Sequence, residues 1–281
     1  MNIEQNNMLV LPASIGDNDF AKIAQSFGQD DGPAENARLP RLAIEQSSDD
    51  DEGNRLPKGD FRLRAEGSTF YLKKPQVRLF IRVFGYDVYN ATEGEWGCRT
   101  VLKPSLKDEF LDTDGGLKCG KLSKAEVDAL EDTSIEKALQ KSIKCSQVIY
   151  GVVERGSGTN LSDPDNPVDM AGTPFIWSVK GSSFIPISNF FRSLTKQKKL
   201  MMKEVVELNT KRHKNGTVVY YTADAETKNS VDFDEDNKTM LKVFIDDIND
   251  YNSFIIKEYR KAAKLQSTSD ELNVDAELQV A

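Results

Sequence analysis

The hydrophobic positions of this chain change period along its length. Alternating apolar and polar residues dominate the first and middle parts, whereas a 3-4-3-4 spacing runs near the end. Alternation marks strands with one buried face, so Phe61–Arg64, Thr69–Lys73 and Gln76–Tyr89 are predicted strands, divided by Gly67 and Pro75. Ser146–Glu154 and Phe175–Lys180 follow, joined by a Gly/Asp/Pro-rich loop at 155–173. Lys203–Lys214 and Thr217–Ala223 read as a hairpin closed by Asn215-Gly216 in the type I′ position. Ser123-x-x-Glu126 and Thr133-x-x-Glu136 fit capping boxes and predict one broken or two short helices over 124–144. A short helix is expected around Ile187–Thr195. From about Thr239 to Leu265, Leu241, Phe244, Ile248, Tyr251 and Ile255 line one face of a long helix.

The ends read differently. Residues 1–55 suggest an acidic arm with one short helix, capped by Asp17, carrying Phe20, Ile23, Ala24 and Phe27 on one face and ended by Gly28. Gln46–Asn54 is a polar, acidic loop, and Gln266–Ala281 has four acids and no base. The expected organisation is therefore an arm (1–55), a β-rich core (56–237), a C-terminal helix (238–265) and an acidic tail (266–281). The fold class is α+β, mainly β.

Composition narrows the function. The chain has 281 residues and a net charge of −8, with hydrophobic residues at 38 %. No apolar run approaches the ~20 residues that span a bilayer. The start, MNIEQNNMLVLPASIGDND, lacks a basic segment ahead of its short apolar stretch. Three scattered cysteines suit reduced thiols. A cytoplasmic chain with no membrane partner is expected.

Few catalytic chemistries survive. The single histidine, His213, lies among Lys211, Arg212 and Lys214, whose charge depresses its basicity, and a polar strand residue near a hairpin tip is the plainer reading. Cys98, Cys119 and Cys145 are 21 and 26 residues apart, without the local C-x-x-C pair that delivers two thiolates to zinc. No phosphate-binding glycine loop and no nucleophile elbow is present. The run from Asp112 to Lys121 loosely resembles calcium or phosphate loops, but it has no Glu at the twelfth loop position and no clear strand feeding it, so a Gly-rich turn is the better reading. Asp232, Asp234, Glu235 and Asp236 could gather Mg²⁺ in a nuclease, but read better as an acidic loop capping the next helix. No enzyme, no cofactor and no metal are expected.

Charge is arranged in blocks. Residues 1–55 carry net −7, 56–107 net +5, 108–175 net −6, 176–221 net +7 and 222–281 net −7. Basic segments folded into one face would attract a polyanion. Within the first basic block, alternation puts Val77, Leu79, Ile81 and Val83 on one strand face and Arg78, Phe80, Arg82, Phe84 and Tyr86 on the other. Guanidinium groups suit phosphates and flat rings suit unpaired bases, as single-stranded nucleic acid requires. Arg62, Arg64, Tyr71, Lys73 and Lys74 extend this composition. A central strand covered on both faces would also carry aromatic residues in both rows. The second basic block tips the reading toward binding: Lys211, Arg212 and Lys214 face Tyr220 and Tyr221 across the hairpin, and Arg192, Lys196, Lys198 and Lys199 precede it.

In organisation the chain resembles the single-stranded DNA-binding proteins of bacterial viruses: a β-rich core with basic and aromatic strand faces, a following helix and an acidic tail. Its stretches LPRLAIEQ, FRLRAEGSTFYLKKPQVRLFIRVFGYDVYN and DTDGGLKCGKL, between Leu39 and Lys121, also resemble bacteriophage proteins. The resemblance implies an oligonucleotide-binding (OB-like) antiparallel barrel, here with inserted helices, a projecting hairpin, a C-terminal helix and an acidic tail. It implies a role in viral DNA replication or recombination, in the host cytoplasm, with the tail recruiting replication or recombination proteins or guarding the groove. A homo-oligomer is compatible with it. The alternative is a viral structural or assembly protein using the same strand face as a protein interface. Accessible Phe80 and Phe84 beside a groove favour nucleic acid; the same rings under a helix or partner favour that alternative.

Overall fold

The longest predicted strand becomes the spine of a sheet. The computed structural model describes residues 39–65, 67–90 and 95–278. Numbered in chain order, its strands are β1 (Arg41–Ile44), β2 (Phe61–Ala65), β3 (Ser68–Leu72), β4 (Gln76–Asn90), β5 (Glu95–Arg99), β6 (Lys144–Arg155), β7 (Ser157–Asn160), β8 (Asp163–Asp169), β9 (Pro174–Val179), β10 (Glu204–Asn215) and β11 (Val218–Ser230). They form one 11-stranded sheet in the order β11-β10-β4-β6-β9-β1-β2-β3-β7-β8, with β5 pairing β4 off this path. The helices are α1 (Lys124–Ala129), α2 (Ile135–Ser142), α3 (Phe184–Lys196) and α4 (Glu235–Leu278).

The class is mixed and mainly β, as expected, but the sheet does not close into a barrel. One of its pairings, β1 with β9, is also parallel rather than antiparallel. The terminal strand β8, DPDNPVD, explains one open edge: two prolines remove ladder donors and three aspartates repel a further strand. Near the other edge, the Gln46 side-chain amide both donates to Tyr221 O (2.8 Å) and accepts from Tyr221 N–H (2.9 Å), bridging β11 to the segment after β1 by a side chain instead of a ladder.

Several expected boundaries move. Arg41–Ile44, assigned to the arm, is a core strand with Leu42 buried. The expected arm helix from Asp17 to Gly28 lies outside the described residues. The 155–173 loop contains the β7–β8 hairpin, whose Pro/Asp/Gly composition hides it from a strand pattern. Ser134, not Thr133, caps α2 by accepting from Lys137 N–H. The hairpin turns at Gly216-Thr217, since Asn215 pairs with Val218; only Gly216 has positive φ (59°), the type II′ arrangement rather than I′. Helix α4 begins earlier than expected, where Asp234 accepts from Asn237 N–H, and continues to Leu278 through most of the segment read as a tail.

Two cores flank the spine. The first joins Leu42, Phe61, Leu63, Leu72, Val77, Leu79, Ile149, Phe175, Trp177, Val206 and Leu208 with Ile187, Phe190, Phe191 and Leu194 of α3. The second packs Phe80, Val83, Tyr150 and Val152 against Phe244 and Ile248 of α4. The spacing of those α3 and α4 residues is that of single helix faces, which is why each helix covers one side of the sheet. A bulge decides which β4 residues meet which core. Leu79 pairs with Gly151 and Ile81 with Tyr150, leaving Phe80 as an extra residue. One extra residue exchanges the two faces downstream. Val77 and Leu79 therefore reach the α3 core, but Ile81 and Val83 reach the α4 core.

Candidate nucleic-acid interface

The same bulge dismantles the predicted Arg–aromatic row. Arg78 and Phe80 lie on the α4 side: Phe80 is 1 % exposed, 5.6 Å from the Phe244 ring and 6.0 Å from Phe233. Arg78 pairs with Glu154 at 2.6 Å and donates to Asp232 O. Arg82 and Phe84 lie on the α3 side. The Arg82 guanidinium sits 4.7 Å from the Phe84 ring centre and 4.6 Å from that of Phe191, and donates to Gln147 and Ser188. Burial, with Arg192 nearby, holds its pKa below the ordinary arginine value. Phe84 is 8 % exposed beside Phe184. Tyr86 packs edge-on against Phe110, and burial with the neighbouring Cys145 pushes its hydroxyl up to about 12. Phe80 and Phe84 are thus parts of the interior and Arg82 is half-buried between rings, so the expected base-stacking face on β4 is corrected: helices of the same chain cover it. Rings under a helix are the outcome set above in favour of the assembly alternative, but burial by the chain's own helices also keeps them out of an interface with another protein.

The remaining candidates divide by partner. Arg62 pairs with buried Glu45 at 2.9 Å, Lys199 with buried Glu204 at 2.8 Å and Lys211 with Asp224 at 2.8 Å. Tyr71 is buried, its pKa raised by burial and by the Glu45 carboxylate, so its ring is not a stacking platform. Arg192 is exposed and donates to Asn189. In contrast Arg64, Lys73, Lys74, Lys196, Lys198, Arg212 and Lys214 are all exposed, and none has a carboxylate within 4 Å among the described residues.

Two of these groups meet although they come from different blocks. Strand β10 pairs with β4 only from Val205 to Glu207 and then crosses the ends of neighbouring loops. Leu208 N–H donates to Pro75 O (3.0 Å), beside the Lys73-Lys74 turn, and Thr210 Oγ1 donates to Gly59 O (2.8 Å). Tyr221 lies flat over Gly59, where an added Cβ would come within 2.6 Å of the ring, so glycine is required for the approach. Beyond this root the hairpin carries exposed Arg212 and Lys214. Exposed cations thus stand at both ends of one edge, the β3–β4 turn and the hairpin tip, with the Lys211–Asp224 and Lys228–Glu207 pairs on the hairpin between them. On the outer face of β1–β3, Arg41 pairs in register with Arg64. Arg41 was missed by sequence reasoning because it fell inside the supposed arm; its exposure and its register opposite Arg64 are visible only once β1 joins the sheet.

The hairpin rings are half-buried. His213 stacks on Tyr220 at 5.1 Å and 16°, and its Nε2 lies 2.8 Å from Thr222 Oγ1. Its neighbours are those of a structural strand residue. The acidic cluster before α4 is a cap: Asp234 holds the helix start and Glu235 pairs with Lys238. No family model, curated protein or solved structure matches the chain. Among the described residues, no helix is long and apolar enough to cross a membrane.

Proposed function

We propose that the chain binds single-stranded DNA without catalysis, by phosphate contacts along the edge that joins the β3–β4 turn to the β10–β11 hairpin. The observation that carries this reading is the meeting of Lys73 and Lys74 with the hairpin bearing Arg212 and Lys214, through the Pro75–Leu208 hydrogen bond. Unpaired cations on a chain of net charge −8 are the groups that can release counterions from a phosphate strand. Arg41 and Arg64 extend the path over the outer face of β1–β3. Stacking is a lesser contribution, limited to Tyr220 with His213 at the finger. A single-stranded partner suits a projecting two-stranded finger beside a narrow basic edge. The OB-like character of the sheet, a place in viral replication or recombination and recruitment of further proteins by the C-terminal segment belong to the same proposal.

The test is a titration of fluorescent oligothymidine and of duplex DNA at two salt concentrations. Affinity for the single strand should fall steeply with salt, with a slope of roughly 0.7 per neutralised phosphate. Lys73→Gln/Lys74→Gln and Arg212→Gln/Lys214→Gln should each flatten that slope by about 1.4. Absence of binding at low salt, or binding indifferent to salt, overturns the reading. One observation favours the assembly alternative: Ile135 and Leu139, one turn apart on α2, are 84 % and 55 % exposed. Concentration-dependent self-association lost in Ile135→Ser/Leu139→Ser, without DNA binding by the parent chain, would replace the first reading by the second.

A further inference from the structure

The segment from Glu95 to Lys121 has little regular structure of its own. After β5 it is held by isolated bridges, Thr100 with Asp112, Leu111 with Leu117 and Phe84 with Lys103. Val101 and Leu111 form a small cluster with Ile255 of α4, while Leu102 joins the Phe244 core and Phe110 is buried against Tyr86. Its first part is fastened to α4, where Asn252 accepts from Leu102 N–H and donates to Leu102 O and the Tyr251 hydroxyl donates to Thr100 O.

At its centre Cys98 Sγ, Cys119 Sγ and an Asp112 carboxylate oxygen all lie within 4.8 Å of one another. Cys98 and Asp112 are buried and Cys119 is half-buried. The sequence pattern could not show this, because the three residues come from a strand, a bridge and a turn and make no C-x-x-C pair. The turn is built to bring them together. Asp112 Oδ1 accepts from Asp114 and Gly116 N–H, and its Oδ2 accepts from Cys119 N–H at 2.8 Å. Lys118, Cys119 and Gly120 take left-handed φ values of 55°, 54° and 70° in succession. That conformation is unfavourable for two residues with side chains.

No cation among the described residues reaches the carboxylate. Asp112 is 1 % exposed, and no lysine or arginine lies within 4 Å of its carboxylate among the described residues. Arg99, next to Cys98 in sequence, instead sits 5.7 Å from the Phe254 ring centre. Three backbone N–H groups hold the carboxylate in place beside the two sulfurs. A cation placed between the carboxylate and the two sulfurs would meet all three ligand atoms.

We propose that Cys98, Asp112 and Cys119 bind one zinc ion that fastens the 95–121 segment. Two thiolates and a carboxylate suit Zn²⁺ among the abundant divalent ions, since thiolate sulfur disfavours magnesium and calcium. Binding forms two Zn–S bonds and one Zn–O bond, releases the two thiol protons to solvent and leaves the fourth tetrahedral position to water. Cys145 lies outside the group, as does His213 on the hairpin. The same loop reaches α4, where an added Cβ on Gly115 would come within 3.0 Å of Ala263 N. Zinc would therefore brace the contact between this loop and the C-terminal helix.

The experiment uses the full chain, reduced and stripped of metal, titrated with Co²⁺ as a spectroscopic probe and then with Zn²⁺. One equivalent of Co²⁺ should give a thiolate charge-transfer band and the visible bands of a tetrahedral site, and Zn²⁺ should displace it. Cys98→Ser and Cys119→Ser should weaken binding by more than the roughly 10–100-fold that changes outside the ligand shell cause. Cys145→Ser should leave it unchanged, since Cys145 is not in the group. Thiol alkylation of the unaltered chain removes dependence on mutant folding: Zn²⁺ should protect Cys98 and Cys119 but not Cys145. No charge-transfer band, protection that includes Cys145, or recovery of Cys98–Cys119 as a disulfide that excludes the metal each overturns the proposal.

Discussion

β4 and the β10–β11 hairpin carry nearly the same composition, arginine or lysine alternating with aromatic and β-branched residues, yet they end in opposite environments. β4 has neighbours on both edges, β10 and β6, and helices over both faces, so its rings and guanidiniums become interior. The hairpin loses its contact with β4 after Glu207 and projects, so its cations keep their water. The lesson is that an alternating cation–ring row states a pairing chemistry but not its partner. In β4 Arg82 finds Phe84 and Phe191 within its own chain. At the hairpin tip no carboxylate approaches Arg212 or Lys214 among the described residues.

Substitutions should separate the two regions sharply. The largest effect is expected at Phe80: its ring is fully enclosed by Phe233 and Phe244, so Phe80→Ala should cost about 3–5 kcal/mol in chemical denaturation. A loss below about 1 kcal/mol would mean that this ring is not core. Next is Arg82→Met, which keeps an apolar stem between the two rings but removes the donor to Gln147 Oε1. Gln147 is buried, and the cost should be about 1–3 kcal/mol. Because Arg82 is half-buried and its acceptor is neutral, raising salt should change that cost little, whereas marked salt sensitivity would mean that Arg82 acts through a charge at the surface. Gly216→Ala should cost about 1 kcal/mol through its positive φ alone. Arg212→Gln/Lys214→Gln should change stability by no more than about 0.5 kcal/mol per site while altering the salt dependence of DNA binding. If this pair destabilised the fold as Phe80→Ala does, the contrast between the regions would collapse.

The smallest expected effect concerns pH at the α4 cover. Asp247 lies in the contact between β6 and α4, accepting from the Tyr150 hydroxyl at 2.8 Å. Burial raises its pKa above the ordinary 3.8, with the Tyr150 hydrogen bond opposing and Asp250 adding to the rise. The folded state then holds this proton to higher pH than the unfolded chain, so stability contributed below the ordinary value is lost as pH rises through the raised one. Asp247→Asn still accepts from Tyr150 but cannot ionise. Its stability relative to the parent should therefore improve between strongly acidic and neutral pH. Denaturation midpoints whose difference is constant across that range would contradict the assigned direction.

Much of the element list was legible because strong patterns and strong packing agree. Phe61–Arg64, the β4 and β6 runs, α3 and the α4 face from Leu241 to Ile255 all carry the residues that the cores use. The failures have identifiable causes. Arg41–Ile44 is only four residues long, and its place is set by Trp177 and Leu63 across the sheet. β7 and β8 are drawn from residues that disfavour strands, so only pairing makes them extended. The metal-type cluster was scattered over 22 residues, with no local pair of ligands to mark it.

The sequence by itself determined the mainly β class, the long C-terminal helix, the separation of charge into blocks and the hairpin with its basic tip. These follow from local period, turn chemistry and counting, which depend on near neighbours along the chain. Only the tertiary structure decided that the sheet stays open, that one extra residue at Phe80 sends β4 side chains to two different cores, and that Lys73-Lys74 meets the hairpin root at Pro75. Those outcomes depend on register and on which element covers which face. A single bulge reverses every downstream side chain at no visible cost to the alternating pattern, so no count of residues along β4 could have revealed it.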